Sequence, residues 1–185
     1  GPHKVSVVGG QDLQRVVLRP VAISAWPWLE QGWCLSREDL AGGLADIATA
    51  YGLRENELAD FLDYWTARLP RYDWYVARPV VGAHLDTWVG LDVEPAPDSV
   101  IRFWMFFEGS DTRIDITPPS MPRVARTGTT VVEWGGAVSL FEASDEGHQP
   151  HVVAQRVEVR VVLHPLEIGG VVDMTVHVDV VIANL

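Results

Sequence analysis

The stretch Arg126-Thr-Gly-Thr-Thr-Val-Val-Glu-Trp-Gly-Gly136 carries the strongest fold signal in the chain. Its β-branched run predicts a buried strand, which ends in one carboxylate, one indole and two glycines. Upstream of it, residues 100–107 are apolar on both faces except at Arg102. Such a run is typical of a central strand that is covered on both sides. We therefore expect residues 100–107 to form the centre of a sheet, with helices over one face.

Two helices are predicted ahead of this strand, over about residues 36 to 69. The first begins at Ser36, where Ser-Arg-Glu-Asp is a variant of a capping box, and it ends with Gly52 as its C-cap. The second runs from about Glu55 to Leu69 and stops at Pro70. Each helix has one apolar face. The pair should form an antiparallel hairpin that packs on the sheet.

From residue 72 onward nearly every signal predicts strand. The predicted strands span residues 74–79, 87–93, 100–108, 112–117, 130–134, 138–143, 152–163 and 171–182. The sequence thus predicts an α+β fold, a mostly antiparallel β-sheet or sandwich with the two-helix hairpin packed on one face. We expect this domain to span residues 4 to 143. Residues 150 to 185 should add a long C-terminal β-hairpin, packed on the same domain.

The register of this hairpin is predicted from its charges. Apolar and polar residues alternate in both strands, so facing residues must share a face. Pairing Arg156 with Asp179 and Glu158 with His177 satisfies that rule. A shift of two residues one way would set Glu158 against Asp179, two like charges. Cross-strand pairs contribute only about 0.2–1 kcal/mol each, but they can select a register. We predict the Arg156–Asp179 register, with the shift of two residues the other way as second choice.

Composition argues against several function classes. The chain has 185 residues, with 14 Lys and Arg against 25 Asp and Glu and a formal net charge of −11. Nucleic acids and anionic membrane surfaces require a basic surface, which this chain lacks. No apolar run approaches the ~20 residues of a membrane-spanning helix. Cys34, the single cysteine, excludes an intramolecular disulfide. The leading Gly1-Pro2-His3 is typical of a cleaved tag, so the natural chain should begin upstream.

Four segments resemble, in order and spacing, a family of uncharacterised bacterial and archaeal proteins that are often exported or lipoproteins. The segments are Gln31-Gly-Trp-Cys-Leu-Ser36, Leu62-Asp-Tyr-Trp-Thr-Ala-Arg-Leu-Pro70, Glu94-Pro-Ala-Pro-Asp-Ser-Val-Ile-Arg-Phe-Trp-Met105 and Arg126-Thr-Gly-Thr-Thr-Val-Val-Glu-Trp-Gly-Gly136. The resemblance covers about residues 30 to 136. It implies a location outside the cytoplasm and carries no activity with it. The β-rich opening typical of the family is missing here, apart from a possible remnant over residues 16–28, and the C-terminal hairpin lies outside the family pattern.

The conspicuous residues of these segments are the candidate ligand-binding site. Glu133 and Trp134 suit a lip at which the indole stacks on a sugar or a cation while the carboxylate accepts hydrogen bonds. Arg102, Arg126 and Asp98 complete the candidate set. The alternative is structural, and we favour it. In that case Glu133 pairs with Arg102 or Arg126 inside the fold, Trp134 packs, and Asp98 caps a turn.

Three functions are open. The leading hypothesis is a non-catalytic binding or assembly module outside the cytoplasm, because no catalytic constellation is complete and the chain is acidic. Its partner would be an unknown protein or glycan, with homo-oligomers through residues 152–182 as a further possibility. The first alternative is a glycan or peptide hydrolase that uses Glu133 with Asp98. The second is a metal-binding protein through His148, His151 and His177, which are weak ligand candidates. No cofactor is expected.

Overall fold

The computed structural model describes residues 4–5, 15–20, 29–94, 96–128, 130–139, 155–164 and 180–182. Its elements follow one another along the chain as β1 Lys4–Val5, β2 Arg15–Pro20, β3 Trp33–Ser36, α1 Leu40–Ala50, α2 Glu55–Arg68, β4 Trp74–Val80, α3 Ala83–Trp88, β5 Val89–Glu94, β6 Ser99–Ser110, β7 Thr130–Ser139, β8 Gln155–His164 and β9 Val180–Ile182. Most of the predicted strand 171–182 lies outside these ranges.

The described strands form two sheets. One sheet has six strands in the order β3-β4-β6-β7-β8-β9, and the other has three in the order β1-β2-β5. Pairing is antiparallel throughout except between β6 and β7, which run parallel with Arg102 beside Glu133. The predicted α+β class with a mostly antiparallel sheet is therefore confirmed. The parallel pair was not predicted, because local sequence patterns do not encode strand direction.

The helical hairpin covers one face of the six-stranded sheet, as predicted. Its apolar residues and those of β4, β6 and β7 form a single buried cluster. Aromatic rings dominate this cluster: the rings of Phe61 and Trp134 meet edge to face at 5.4 Å, and those of Tyr51 and Phe103 stack at 4.7 Å. Such pairs add about 0.5–1.5 kcal/mol each beyond the burial of their area. The central strand β6 is thus held to the helices mainly by rings.

Element boundaries differ from the prediction in four places. Residues 112–117 are not a strand but part of the connection after β6, and residues 138–139 continue β7 instead of starting a new strand. The first two residues of the predicted strand 87–93 belong to the short helix α3, and the strand β5 begins at Val89. Helix α1 begins at Leu40, since Ser36 and Asp39 close a turn ahead of it: the Asp39 N–H donates to Ser36 Oγ at 3.1 Å.

The parallel pair requires a long connection, which residues 111–129 supply without a helix in their described part. This crossover first passes the residue ahead of the edge strand β3, where the N–H of Gly32 donates to the Thr117 carbonyl at 3.0 Å. It ends beside the start of β6, where the Thr127 N–H donates to Ser99 Oγ at 2.9 Å. The connection is therefore fastened at both ends by hydrogen bonds.

The C-terminal segment extends the main sheet. Strand β8 pairs antiparallel with β7, and β9 pairs with β8 so that Arg156 faces Val181. The predicted Arg156–Asp179 register is wrong by two residues, in the direction that the charge argument disfavoured. A shift of two keeps every side chain on its face, so only the charge pairs argued against it. Those pairs are too weak to outweigh the pairing and packing of whole strands.

The second glycine of the Glu-Trp-Gly-Gly motif is explained by close packing. A Cβ atom on Gly136 would overlap the carbonyl oxygen of Met105 in the neighbouring strand and would lie 2.8 Å from Cζ2 of Trp65. The indole of Trp65, which lies in α2, is therefore packed directly against the backbone of β7. Any side chain at Gly136 would separate the helix from the sheet.

We predict that Gly136→Ala lowers the free energy of unfolding by about 2 kcal/mol, the usual cost of overpacking a core. The matched control is Gly42→Ala, where nothing lies within 4 Å of the new Cβ and the residue is inside α1. That change should raise stability by up to about 1 kcal/mol through helix propensity. Urea unfolding of both variants measures the difference, and equal stability of Gly136→Ala and the original chain would contradict the packing argument.

Candidate functional site

A hydrogen-bonded charge cluster lies on the sheet face opposite the helical hairpin. Phe103 and Trp134 point to the helices, so their neighbours Arg102 and Glu133 point the other way. Nε–H of Arg102 donates to Oε2 of Glu133. The indole N–H of Trp104 donates to Oε1 of the same carboxylate at 3.2 Å. The parallel register of β6 and β7 therefore supplies both oxygens of Glu133 with a donor.

The cluster extends outward from this pair to helix α3. Nη1 of Arg102 donates to Oδ1 of Asp86 at 2.7 Å. The side chain of Glu133 is 0% exposed, that of Arg102 is 12% exposed and that of Asp86 is 63% exposed. The guanidinium thus bridges a fully buried carboxylate and a solvated one. Because it is held on both sides, its orientation is set by the fold.

Burial raises the pKa of Glu133 above its ordinary value of 4.5. The hydrogen bond and charge of Arg102 oppose that rise, as does the hydrogen bond from Trp104, while the charge of Asp86 adds to it. Desolvation is the largest cause, since a carboxylate with no exposed surface loses its hydration. Because its pKa is raised, Glu133 keeps its proton to a higher pH in the folded chain than in the unfolded chain.

An open cleft lies beside the charge cluster, between α3, β5 and the start of β6. Its volume is about 390 Å³. The polar part of its wall comes from Asp86, Asp92 and Arg102, and the apolar part includes Leu91, Val93 and Val100. Val100 is 48% exposed, a large fraction for an apolar residue in a central strand. We call this concavity the α3–β6 cleft.

Helix α3 brings Asp86 to the cleft. Gly82, with φ of +59°, turns the chain into the helix, and Leu85 within the helix is fully buried. Asp86, the next residue, then faces Arg102. Sequence analysis missed Asp86 because six residues are too few to show helical periodicity. Gly82 was the one local signal for a break before residue 87.

Glu133 and Trp134 do not form one lip, because consecutive strand residues face opposite sides. Trp134 is fully buried between Phe61 and Tyr64, with ring centroids at 5.4 Å and 5.9 Å. Glu133 is fully buried with Arg102. The structural alternative predicted for these two residues, an internal Glu133–Arg102 pair and a packed Trp134, is therefore what the structure contains.

Arg126 lies on the helical side of the sheet, away from Glu133. Its Nη1 donates to Oε1 of Glu57 at 2.9 Å, and its Nη2 donates to Glu57 Oε2 and to the carbonyl of Gly52. Glu57 is 1% exposed and also accepts the N–H of Arg54, which caps α2. Of the two partners predicted for Glu133, Arg102 is the one that the structure pairs with it, and Arg126 pairs with Glu57. Arg126 fastens the crossover to the turn between the helices.

Asp98 lies at the entry to β6, exposed to solvent, with its carboxylate against Gly128. Gly128 has φ of +58° and closes the crossover there. Four residues of strand separate Asp98 from Arg102, the neighbour of Glu133, and that length spans about 13 Å. The two carboxylates also have different neighbours, since that of Asp98 lies against Gly128 and that of Glu133 accepts from Arg102 and Trp104.

The metal-binding hypothesis rests on residues outside the described ranges. His148, His151 and His177 all lie there. Within the described ranges, no three His, Cys, Asp or Glu side chains are grouped so that they could hold a metal ion. In the same part of the chain, no helix has the length and apolar character needed to cross a membrane.

Comparisons with protein-family models, with curated proteins and with solved structures each found no match. The family resemblance of residues 30 to 136 stays a prediction. The site is therefore argued from its own geometry.

We predict that Glu133→Gln changes the pH dependence of stability. The pKa of Glu133 is raised on folding, so the folded chain binds this proton more tightly, and stability falls as pH rises above 4.5 through the folded pKa. In Glu133→Gln this loss should be absent, so the stability of the original chain relative to the variant should decrease as pH rises. Urea unfolding at a series of pH values measures it. A difference that is constant with pH would contradict the raised pKa.

We predict that Arg126→Ala lowers the free energy of unfolding by about 3 kcal/mol, because it leaves the Glu57 carboxylate buried without its cation. Arg123→Ala, at an exposed position of the same crossover, should change stability by less than about 0.5 kcal/mol. Combining Glu57→Gln with Arg126→Ala should cost less than the two single losses together, since the pair acts as a unit. Additive losses in thermal or urea unfolding would contradict the pairing.

Proposed function

We propose that this chain is a non-catalytic binding module and that the α3–β6 cleft is its ligand surface. The observation that carries the proposal is the Arg102 guanidinium, held at the wall of an open cleft between the buried Glu133 and the exposed Asp86. Ligand sites are concave, mostly apolar and of about 300–1,000 Å³, with a few fixed polar groups. The cleft meets this description in size, and its wall combines apolar side chains with three charged ones.

Preorganisation supports binding at this place. A polar group that is already fixed loses little conformational freedom when a ligand arrives. Arg102 is held by the fully buried carboxylate of Glu133 and by the carboxylate of Asp86, and the helix that carries Asp86 buries Leu85 completely. The polar groups of the cleft therefore do not have to be ordered by the ligand. This is the arrangement expected of a built binding surface.

The burial of Glu133 favours binding over catalysis. A general acid or nucleophile must come within hydrogen-bond reach of the substrate. Glu133 has no exposed surface, and its oxygens accept from Arg102 and Trp104. We assign it the role of an anchor for Arg102. The glycan or peptide hydrolase that uses Glu133 with Asp98 stays an alternative without an observation in its favour.

Two further parts of the hypothesis rest on the sequence alone. A location outside the cytoplasm follows from the family resemblance. Homo-oligomers through residues 152–182 follow from the predicted hairpin, of which the structure describes β8 and β9. Both stay predictions beside the proposal for the cleft.

We predict that Val100→Trp fills the cleft and abolishes binding there. The matched control is Met121→Trp on the crossover, because Met121 and Val100 are similarly exposed, at 46% and 48%. Backbone-amide NMR spectra would be recorded with a lysine-containing pentapeptide, a leucine-containing pentapeptide and a chitin oligosaccharide as probes. At least one probe should shift the amides of α3, β5 and the start of β6, and Val100→Trp should remove the shifts.

Two results would overturn the binding proposal. One is that no probe shifts the cleft amides of the original chain. The other is that Val100→Trp binds as the original chain and Met121→Trp do. Release of cleaved products from the peptides or the oligosaccharide would establish catalysis and refute the non-catalytic assignment.

A further inference from the structure

We propose that the α3–β6 cleft receives a basic side chain, lysine or arginine, from a protein partner. The alkyl part of that side chain packs on the apolar wall, and its cationic end lies between Asp86 and Asp92. This inference rests on the proposed function, because it names the ligand class of the same cleft.

The charges of the cleft favour a cation. Two carboxylates, Asp86 and Asp92, line it against one guanidinium, that of Arg102. Arg102 is already engaged by Glu133 behind it and by Asp86 beside it. Two carboxylates against one guanidinium leave the lining of the cleft with a net negative charge, and the buried Glu133 behind Arg102 adds no positive charge to it. The whole chain, at a net charge of −11, attracts basic partners over a longer range.

The apolar wall favours a cation on an alkyl stem over a bare ion. Leu91, Val93 and Val100 line the cleft, and Val100 leaves 48% of its surface uncovered. Lysine and arginine pack their methylene groups on apolar surface while the charged end stays at the polar rim. Asp86, at 63% exposure, lies at such a rim. The two features of the cleft thus match the two ends of one side chain.

Two other ligand classes fit less well. An anion would have to approach Asp86 and Asp92 to reach a guanidinium that already donates to carboxylates. A sugar is usually held by stacking on an exposed aromatic ring, whereas the lining described for the cleft consists of two carboxylates, one guanidinium, three aliphatic side chains and Pro97. Trp104, the nearest indole of the cluster, is 1% exposed and donates to Glu133.

The test uses three peptides that differ at one position: acetyl-Gly-Gly-X-Gly-Gly-amide with lysine, norleucine or glutamate as X. Each is titrated into the full chain and followed by backbone-amide NMR. The lysine peptide should shift the amides of residues 91–93 and 100–102 and bind at least fivefold more tightly than the norleucine peptide. The glutamate peptide should leave these amides unshifted. Raising ionic strength from about 0.01 to 0.1 M, which shortens the Debye length from about 30 to 10 Å, should weaken the lysine peptide alone.

A pair of matched variants separates the effect of the Asp92 charge on peptide binding from any effect of losing a carboxylate on folding. Asp92→Asn should weaken the lysine peptide about fivefold and leave the norleucine peptide unchanged. Asp46→Asn is the control, since Asp46 is an exposed carboxylate on α1, across the sheet from the cleft. It should change neither affinity. An Asp92→Asn variant that binds the lysine peptide as the original chain does would overturn the inference.

The remaining outcomes distinguish the inference about a basic side chain from the proposed binding function of the cleft. If the norleucine peptide or a chitin oligosaccharide binds at the cleft as tightly as the lysine peptide, the ligand class is wrong and the binding function stands. If no probe shifts the cleft amides, both are overturned. If the lysine peptide shifts amides outside the cleft alone, the basic-side-chain inference is overturned.

Discussion

The parallel pairing of β6 and β7 is the constraint on which the rest of the structure depends. It places Arg102 beside Glu133 and Met105 beside Gly136 in one register. Parallel strands cannot be joined by a tight turn, so the pairing also requires the crossover of residues 111–129. The charge cluster around Arg102, the packing of α2 on the sheet and the crossover of residues 111–129 therefore all depend on the pairing of β6 with β7. A slip of one residue would move Glu133 to the aromatic face and Trp134 to the cleft face.

Two buried carboxylates fasten this arrangement, one on each side of the sheet. Glu133 holds Arg102 on the cleft side, and Glu57 holds Arg126 on the helical side. Buried ion pairs add little net stability compared with apolar packing, but they leave few alternative arrangements, because either charge alone would be costly. We infer that both pairs specify the register and the path of the crossover more than they add to stability. Most of the stability comes from the buried core, which is rich in aromatic residues.

The difference in exposure across the charge cluster connects this architecture to the proposed function. The inner carboxylate, Glu133, has no surface exposed to solvent, and the outer carboxylate, Asp86, is solvated. Arg102 lies between them. A surface of this kind can present fixed polar groups without exposing the carboxylate that orients them. Three residues of the Glu-Trp-Gly-Gly motif have structural contacts: Glu133 accepts from Arg102, Trp134 packs against Phe61, and Gly136 leaves room for Trp65.

Local pattern was enough to predict helix α2, the central strand β6, the helical face of the sheet and the α+β class, because periodicity reports which side of an element is buried. The Glu133–Arg102 pair was one of the two pairings predicted for Glu133, since Arg102, Arg126 and Glu133 are charged residues in or beside apolar strands. Only the tertiary structure decided strand direction, the β8–β9 register, the place of α3 with Asp86, and the choice of Glu57 as partner of Arg126. Each of these depends on where distant segments meet, and no periodicity within a segment carries that information.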